Sequence, residues 1–216
     1  MKISSKILKE KVLSCLTKYD NFLYVKGDMP FLCSWNGEKL YIYVKTLSSA
    51  YFKNENITRV QLPQKEIFSR IKKSRNKFIF LGYDQDNDVY VAWNNTIAKK
   101  RLNQSGNVSF YSRADSQLFA TQKRSFVVFS LENGEKVVAF KSSVLPHFLD
   151  KVGDLFPQVE GKKGDADENE SAIEIEEDLL NAIKPLLQGR TIRAGQKPSG
   201  GASFQGEIPR HHPYSL

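Results

Sequence analysis

The sequence predicts a mainly β (α+β) domain decorated with a few short helices. Three observations predict it. Seven or eight segments rich in Val, Ile, Phe and Tyr fall within roughly 150 residues, with turn residues about every 8 to 12 positions, the spacing of a barrel or sandwich. Asn-Gly stands between such segments twice, at 36–37 and at 133–134, and both residue types tolerate the positive φ of a tight hairpin. Strands do not alternate with long helical stretches, as βαβ units would require.

Along the chain, residues 5–18 read as an amphipathic helix: Leu8, Val12 and Leu16 recur on one face, and Ser4 or Ser5 is placed to cap it. Residues 1–20 are thus expected to hold an N-terminal helix, 21–156 a β-barrel domain, and 157–216 a linker, short helix and tail. Strands are predicted at 21–26, 31–35, 38–47 and 57–62, the second and third joined through Asn36-Gly37. Pro63 opens a short helix over 64–74, with Ile67 and Ile71 on its inner face. Residues 76–83 and 88–94 form the next hairpin, and 96–102 one or two helical turns. A strand at 107–113 alternates in character, and 125–131 pairs with 136–142 across Asn133-Gly134. A short helix over 143–150 closes the domain. The Asn-Gly-Glu-Lys hairpin starting at 36 is echoed at 133, which suggests pseudo-symmetry, although reuse of a common turn gives the same echo. Beyond 156 the composition shifts. Residues 160–170 form a charged linker without aromatics, 172–187 a short amphipathic helix interrupted by Pro185, and 189–216 a Gly-, Pro- and Ser-rich tail expected to be disordered.

The charge is uneven. The chain carries +8 formally, but residues 1–124 hold 22 Lys and Arg against 10 Asp and Glu, whereas 161–180 hold 2 against 8. A basic globular region is the footprint expected for a phosphate-rich partner, or simply a solubilising surface. Two cysteines, Cys15 and Cys33, build neither a disulfide framework nor a four-ligand zinc site, and read as reduced thiols. Neither a signal-peptide core nor an apolar run of about 20 residues is present, so a soluble, cytoplasmic protein is expected, with no membrane partner.

Catalytic machinery is sparse. The sequence has no Gly-rich phosphate loop, no paired helical histidines and no nucleophile elbow. His147 reads as a helix-end residue, and His211 and His212 fall in the tail. Asp84, Asp86 and Asp88 cluster in a hairpin turn without the glycine and twelfth-position Glu of a calcium loop, and read as turn solvation. The one Glu-x-Lys, at 160–162, lies in the linker. No catalytic or metal-binding residue is therefore assigned.

Positive residues sit beside amides and aromatics instead. Arg70, Lys72, Lys73, Arg75 and Lys77 form one cluster; Lys99, Lys100 and Arg101 form another, followed by Asn103, Gln104, Ser109, Tyr111, Ser112, Arg113 and Gln117. Phosphates are contacted by Lys, Arg, Ser and backbone amides, while guanine takes Arg and adenine takes Asn or Gln in bidentate contact. Trp93 and Phe110 are expected in the core, because large aromatics in strands usually pack.

The stretch 88–117 resembles a segment of the DNA-recognition domains of bacterial restriction endonucleases, which are related to the DNA-binding pseudobarrel of plant auxin-response factors. The similarity is carried by the strand ending Trp93-Asn94, by Lys100-Arg101-Leu102-Asn103, by 108–113 and by Gln117. Asn95 departs from it, where such segments commonly have Pro. About 30 residues carry the motif, and the strand pattern extends over roughly 20–145. The resemblance implies a seven-stranded open pseudobarrel that grips the major groove, with readout positions in 51–59 and 93–117 and a nuclease in a fused domain or partner subunit.

The expected function is sequence-specific recognition of double-stranded DNA by the 21–156 domain, as a component of a restriction–modification system. Lys72, Lys73, Lys99 and Lys100 are expected on phosphates, and Arg59, Asn103, Arg113 and Gln117 at base edges, with Arg75, Arg101, Ser109, Tyr111 and Ser112 completing the surface. Binding itself needs no cofactor. Mg2+ enters only under a second reading, in which the chain is a nuclease with a site assembled from distant acidic residues. A third reading is a reader of RNA or modified cytosine that holds a base against Trp35 or Trp93. A fourth is a protein-interaction module with an incidental basic face.

Overall fold

The structure, a computed structural model, describes residues 3–50 and 56–157. The predicted linker, C-terminal helix and tail, His211 and His212, and part of the 51–59 readout segment lie outside the described residues.

Helix α1 (Ser5–Leu16) starts where Ser4 Oγ accepts a hydrogen bond from Ile7 N–H at 3.3 Å. Strands β1 (Phe22–Lys26), β2 (Phe31–Trp35) and β3 (Glu38–Thr46) follow as an antiparallel meander. The chain then leaves through β4 (Ser48–Ser49), β5 (Ile57–Pro63) and α2 (Glu66–Lys73), and returns as β6 (Lys77–Asp84), parallel to β3. Strand β7 (Val89–Trp93) pairs with β6. A second excursion comprises α3 (Asn95–Lys100), β8 (Asn107–Arg113) and α4 (Ala114–Ala120). The domain ends with β9 (Val127–Ser130), β10 (Lys136–Lys141) and α5 (Leu145–Leu155).

The main sheet has seven strands in the order β1-β2-β3-β6-β7-β10-β9, and a second sheet has the order β4-β5-β8. The main sheet has the expected seven strands and stays open, ending at β1 and β9. The reason lies in the two excursions. Each leaves the main sheet, the first contributing β4 and β5 and the second β8, and β5 and β8 pair with one another from Ile57↔Arg113 to Pro63↔Asn107. Strands that would continue a barrel wall build a separate layer.

Strand alternation sorts the core into two sides. Leu40, Ile42, Val44, Ile79, Leu81, Tyr90 and Phe140 meet Leu8, Val12 and Leu16 of α1 and Leu145, Phe148 and Val152 of α5. Helix α1 thus packs its Leu8, Val12 and Leu16 face into the sheet's core. On the opposite side Tyr43, Phe78, Phe80 and Trp93 stack against Phe68 of α2 and Phe110 of β8. Gly82 makes room for this packing: a Cβ there would lie 2.9 Å from both Leu47 and Trp93 side-chain atoms.

The two Asn-Gly hairpins differ in closure. Trp35 pairs with Glu38, leaving Asn36 and Gly37 as a two-residue turn with φ of 50° and 77°. At the second, Gly134 N–H donates to Leu131 O at 2.8 Å and Leu131 N–H to Glu135 O at 3.0 Å, so more residues enter the loop. The sequence echo thus joins two hairpins of different loop length.

Of the three turn aspartates, Asp84 caps the turn by accepting from Asp86 N–H at 3.0 Å. Asp88 does more. Its carboxylate accepts from Lys11 Nζ at 3.1 Å, from Tyr83 Oη at 2.6 Å and from Ser142 Oγ, joining α1, β6 and the turn before α5. Partial burial opposes its charge, but the hydrogen bonds from Ser142, Tyr83 and Lys11 outweigh this and hold its pKa below the usual carboxylate value. A depressed folded-state pKa gives stability that is present above the unfolded value and lost as pH falls through the folded one. Thermal melting followed from about pH 5 downward should therefore show a shallower acid loss in Asp88→Asn than in the unaltered protein. Equal slopes would remove Asp88 from the acid response.

Candidate nucleic-acid interface

The two excursions from the main sheet carry nearly all the residues singled out in the sequence. The ends of α2 and α3 come together first. Asn94 caps α3, its Oδ1 accepting from Thr96 N–H at 3.0 Å and Ile97 N–H at 3.1 Å. Lys99, one turn on, donates its ammonium to Ser74 O at 2.6 Å and Asn76 O at 2.7 Å, which fastens α3 to the α2–β6 turn. Lys72 donates to Leu102 O at 3.1 Å.

Between these elements lies an open concavity of about 410 Å³ whose lining includes Lys72, Arg75, Lys77, Lys99, Lys100 and Asn95. No carboxylate belongs to the lining. The two basic clusters of the sequence, more than twenty residues apart, thus converge on one site. The cations differ in availability. Lys77 pairs with Glu38 at 2.7 Å. Lys99 is held by two carbonyls, and its burial lowers its pKa. Arg75 and Lys100 are exposed and make no hydrogen bond or ion pair among the described residues, and Lys73 stands exposed at the end of α2. Free donors around a carboxylate-free hollow suit an anion with several oxygens.

The β5–β8 pair forms the second surface. Val60 and Leu62 on β5, and Val108, Phe110 and Ser112 on β8, point inward and are buried. Arg59 and Gln61, with Ser109, Tyr111 and Arg113, fall on the half-exposed face, and Arg59 lies directly opposite Tyr111. Four of the expected site residues therefore share one face. Gln61 joins them; the alternation of 57–62 could have placed it there, since it lies two residues from Arg59.

Other expected positions have internal tasks. Arg101 donates to Ser109 O at 2.7 Å and lies 4.1 Å over the Phe110 ring, tying α3 to β8. Asn103 adopts φ of 53°, and its amide accepts from Lys65 N–H at 3.0 Å while donating to Lys65 O at 2.8 Å and Ser69 Oγ at 3.0 Å. Gln117 and Ser112 are corrected outright as surface contacts, because they are 1% and 0% exposed. Gln117 Nε2 donates to Thr58 Oγ1 at 2.6 Å and Ser112 Oγ at 3.1 Å, locking α4 under the small sheet. Both tryptophans are buried: the Trp35 indole donates to Asp150 Oδ1 at 2.8 Å and that of Trp93 to Tyr111 O at 2.8 Å. Neither offers a platform for an extruded base. His147 is exposed at the start of α5, stacked on Phe126. Among the described residues, no three His, Cys, Asp or Glu side chains gather in a way that could hold a metal ion. No helix among them is long and apolar enough to cross a membrane.

Residues 38–149, just over half of the chain, match the family described as methylase-associated X1. The chain belongs to that family. The match runs from the start of β3 into α5, so it includes both excursions and every expected site residue. Methylase association links the family to restriction–modification systems. No curated protein and no solved structure matches the chain.

Proposed function

We propose that this protein recognises double-stranded DNA in a sequence-specific manner as a component of a restriction–modification system. The observation that carries the proposal is the convergence of Lys72, Arg75, Lys77, Lys99 and Lys100 on one carboxylate-free concavity of about 410 Å³. Phosphate contact there positions the duplex, with Lys73 adding to the field. The outward face of β5–β8 supplies the groups that discriminate bases: Arg59 and Arg113 flank Tyr111, with Ser109 and Gln61 beside them. Kinship with the pseudobarrel recognition domains of restriction endonucleases belongs to this proposal, as does a nuclease residing in a partner subunit or fused domain. Binding requires no cofactor in this reading, and Mg2+ belongs to the nuclease.

The test is selection of randomised duplex DNA at about 150 mM salt, where phosphate-only binding is weakened. Enrichment of a motif of a few base pairs is the expected result. Retention without a motif would leave only phosphate binding, and no retention would overturn the proposal.

A further inference from the structure

A second cavity, of about 140 Å³, opens where β2 stops short of the end of β3. Its lining brings together Ser5 at the start of α1, Met29, Lys45 and Thr46 of β3, and Lys65 just before α2. The chemistry of this lining is one-sided. The Thr46 hydroxyl oxygen is buried and makes no hydrogen bond among the described residues. Val44 N–H donates to the Met29 thioether at 3.2 Å, a weak acceptor. The Lys65 ammonium is half-buried, donates to Met29 O at 3.2 Å and lies 5.0 Å over the Tyr43 ring, yet no carboxylate among the described residues pairs with it. Its burial lowers its pKa, as expected of an uncompensated cation. The first turn of α1, a twelve-residue helix, contains no acidic residue to offset its positive end. No Asp or Glu lines the cavity.

A buried hydroxyl without a partner and a half-buried cation without an anion are each unfavourable unless a further group satisfies them, and both residues line this cavity. We infer that this cavity binds a tetrahedral oxyanion of the phosphate type, held by Lys65 and the Thr46 hydroxyl with Lys45 and the α1 N-terminus nearby. The volume admits one such ion and no nucleobase beside it. The inference stands apart from the duplex-binding concavity, with which this cavity shares no lining residue. The ion is either free phosphate or a phosphate of the nucleic-acid backbone.

The probe is inorganic phosphate, compared with chloride at matched ionic strength, with thermal melting of the full chain as readout. A saturable rise of about 3 °C or more is expected at phosphate about ten times its Kd. Phosphate also stabilises proteins generally by exclusion from their surface, so the readout is the difference between variants. Lys65→Met keeps the stem over Tyr43 and should abolish the saturable part, whereas Arg75→Ala with Lys100→Ala should retain it. Thr46→Val should weaken phosphate binding without lowering the melting temperature in chloride, because the hydroxyl removed has no internal partner; this variant serves if Lys65→Met fails to fold. No saturable rise, or a rise unchanged in both Lys65→Met and Thr46→Val, overturns the inference. Duplex binding by Thr46→Val then identifies the source: weakening marks a backbone phosphate, and unchanged binding marks a free ion.

Discussion

Replacing Arg75 and Lys100 together by Ala is expected to weaken duplex DNA binding about thirtyfold at about 150 mM salt and to reduce the log–log salt slope by about 1.8. The figure follows from counterion release: each neutralised phosphate contributes about 0.9 to the slope, which at that salt is about fivefold in affinity. These two residues are the right pair because both line the concavity and neither has a partner among the described residues. Their removal subtracts charge and little else. Lys99→Met would be a poor substitute. It would leave the Ser74 and Asn76 carbonyls without their donor, so a fall in binding would be confounded with a loosened α2–β6 turn. Lys77 is already matched by Glu38, and its deletion should matter less. Melting temperature serves as the control, since exposed, unpaired side chains contribute little to stability. Affinity within twofold of the unaltered protein, with an unchanged slope, would remove the concavity from the DNA-binding surface.

How far the sequence reveals this site depends on where each side chain finds its partner. The alternation in 57–62 and 107–113 places Arg59, Ser109, Tyr111 and Arg113 on one face, because period-two patterning is a local property. Asn36-Gly37 is legible for the same reason: the turn needs positive φ at two adjacent residues and no distant contact. The tasks of Lys99, Arg101 and Asn103 are not local. Their acceptors are carbonyls at Ser74, Asn76, Ser109 and Lys65, brought near only when the two excursions pack, and a backbone carbonyl leaves no mark in a sequence. Helix α4 escapes notice because its inward face includes Ser116 and Gln117, polar residues that a hydrophobic-periodicity argument assigns to solvent. Once buried they are satisfied: the Ser116 hydroxyl donates to Asp115 Oδ1, and the Gln117 amide to Thr58 and Ser112. The second sheet is equally hidden. Strand count and spacing are the same whether β5 and β8 extend a barrel wall or pair with one another as a second layer, and only the pairing decides. The packing of helix α1 on α5 is not legible either, because α5 lies at the other end of the described chain.

Arg113 provides the sharpest separation between a base-reading and a charge-only surface. It ends β8 with extended backbone at φ −122° and ψ 131°, and α4 begins at the next residue without a side-chain cap from it. Its side chain lies on the outward face, two residues from Tyr111 on the same strand, and makes no hydrogen bond or ion pair among the described residues. A guanidinium so placed presents its planar donor fork to a partner without first breaking an internal contact. Arg113→Ala should then cost about 1–3 kcal/mol in binding to the selected motif and flatten the preference at one base pair, as loss of a bidentate guanine contact does. Arg113→Lys supplies the discriminating comparison. It retains the charge, and with it the salt slope and the binding to unselected duplex, but has no fork to span two acceptors of one base. Loss of preference in both variants, with non-specific affinity kept only in Arg113→Lys, identifies a base contact. If the lysine variant keeps the full preference, Arg113 acts as a charge on the backbone, and discrimination must come from Arg59 and Gln61 on the neighbouring strand.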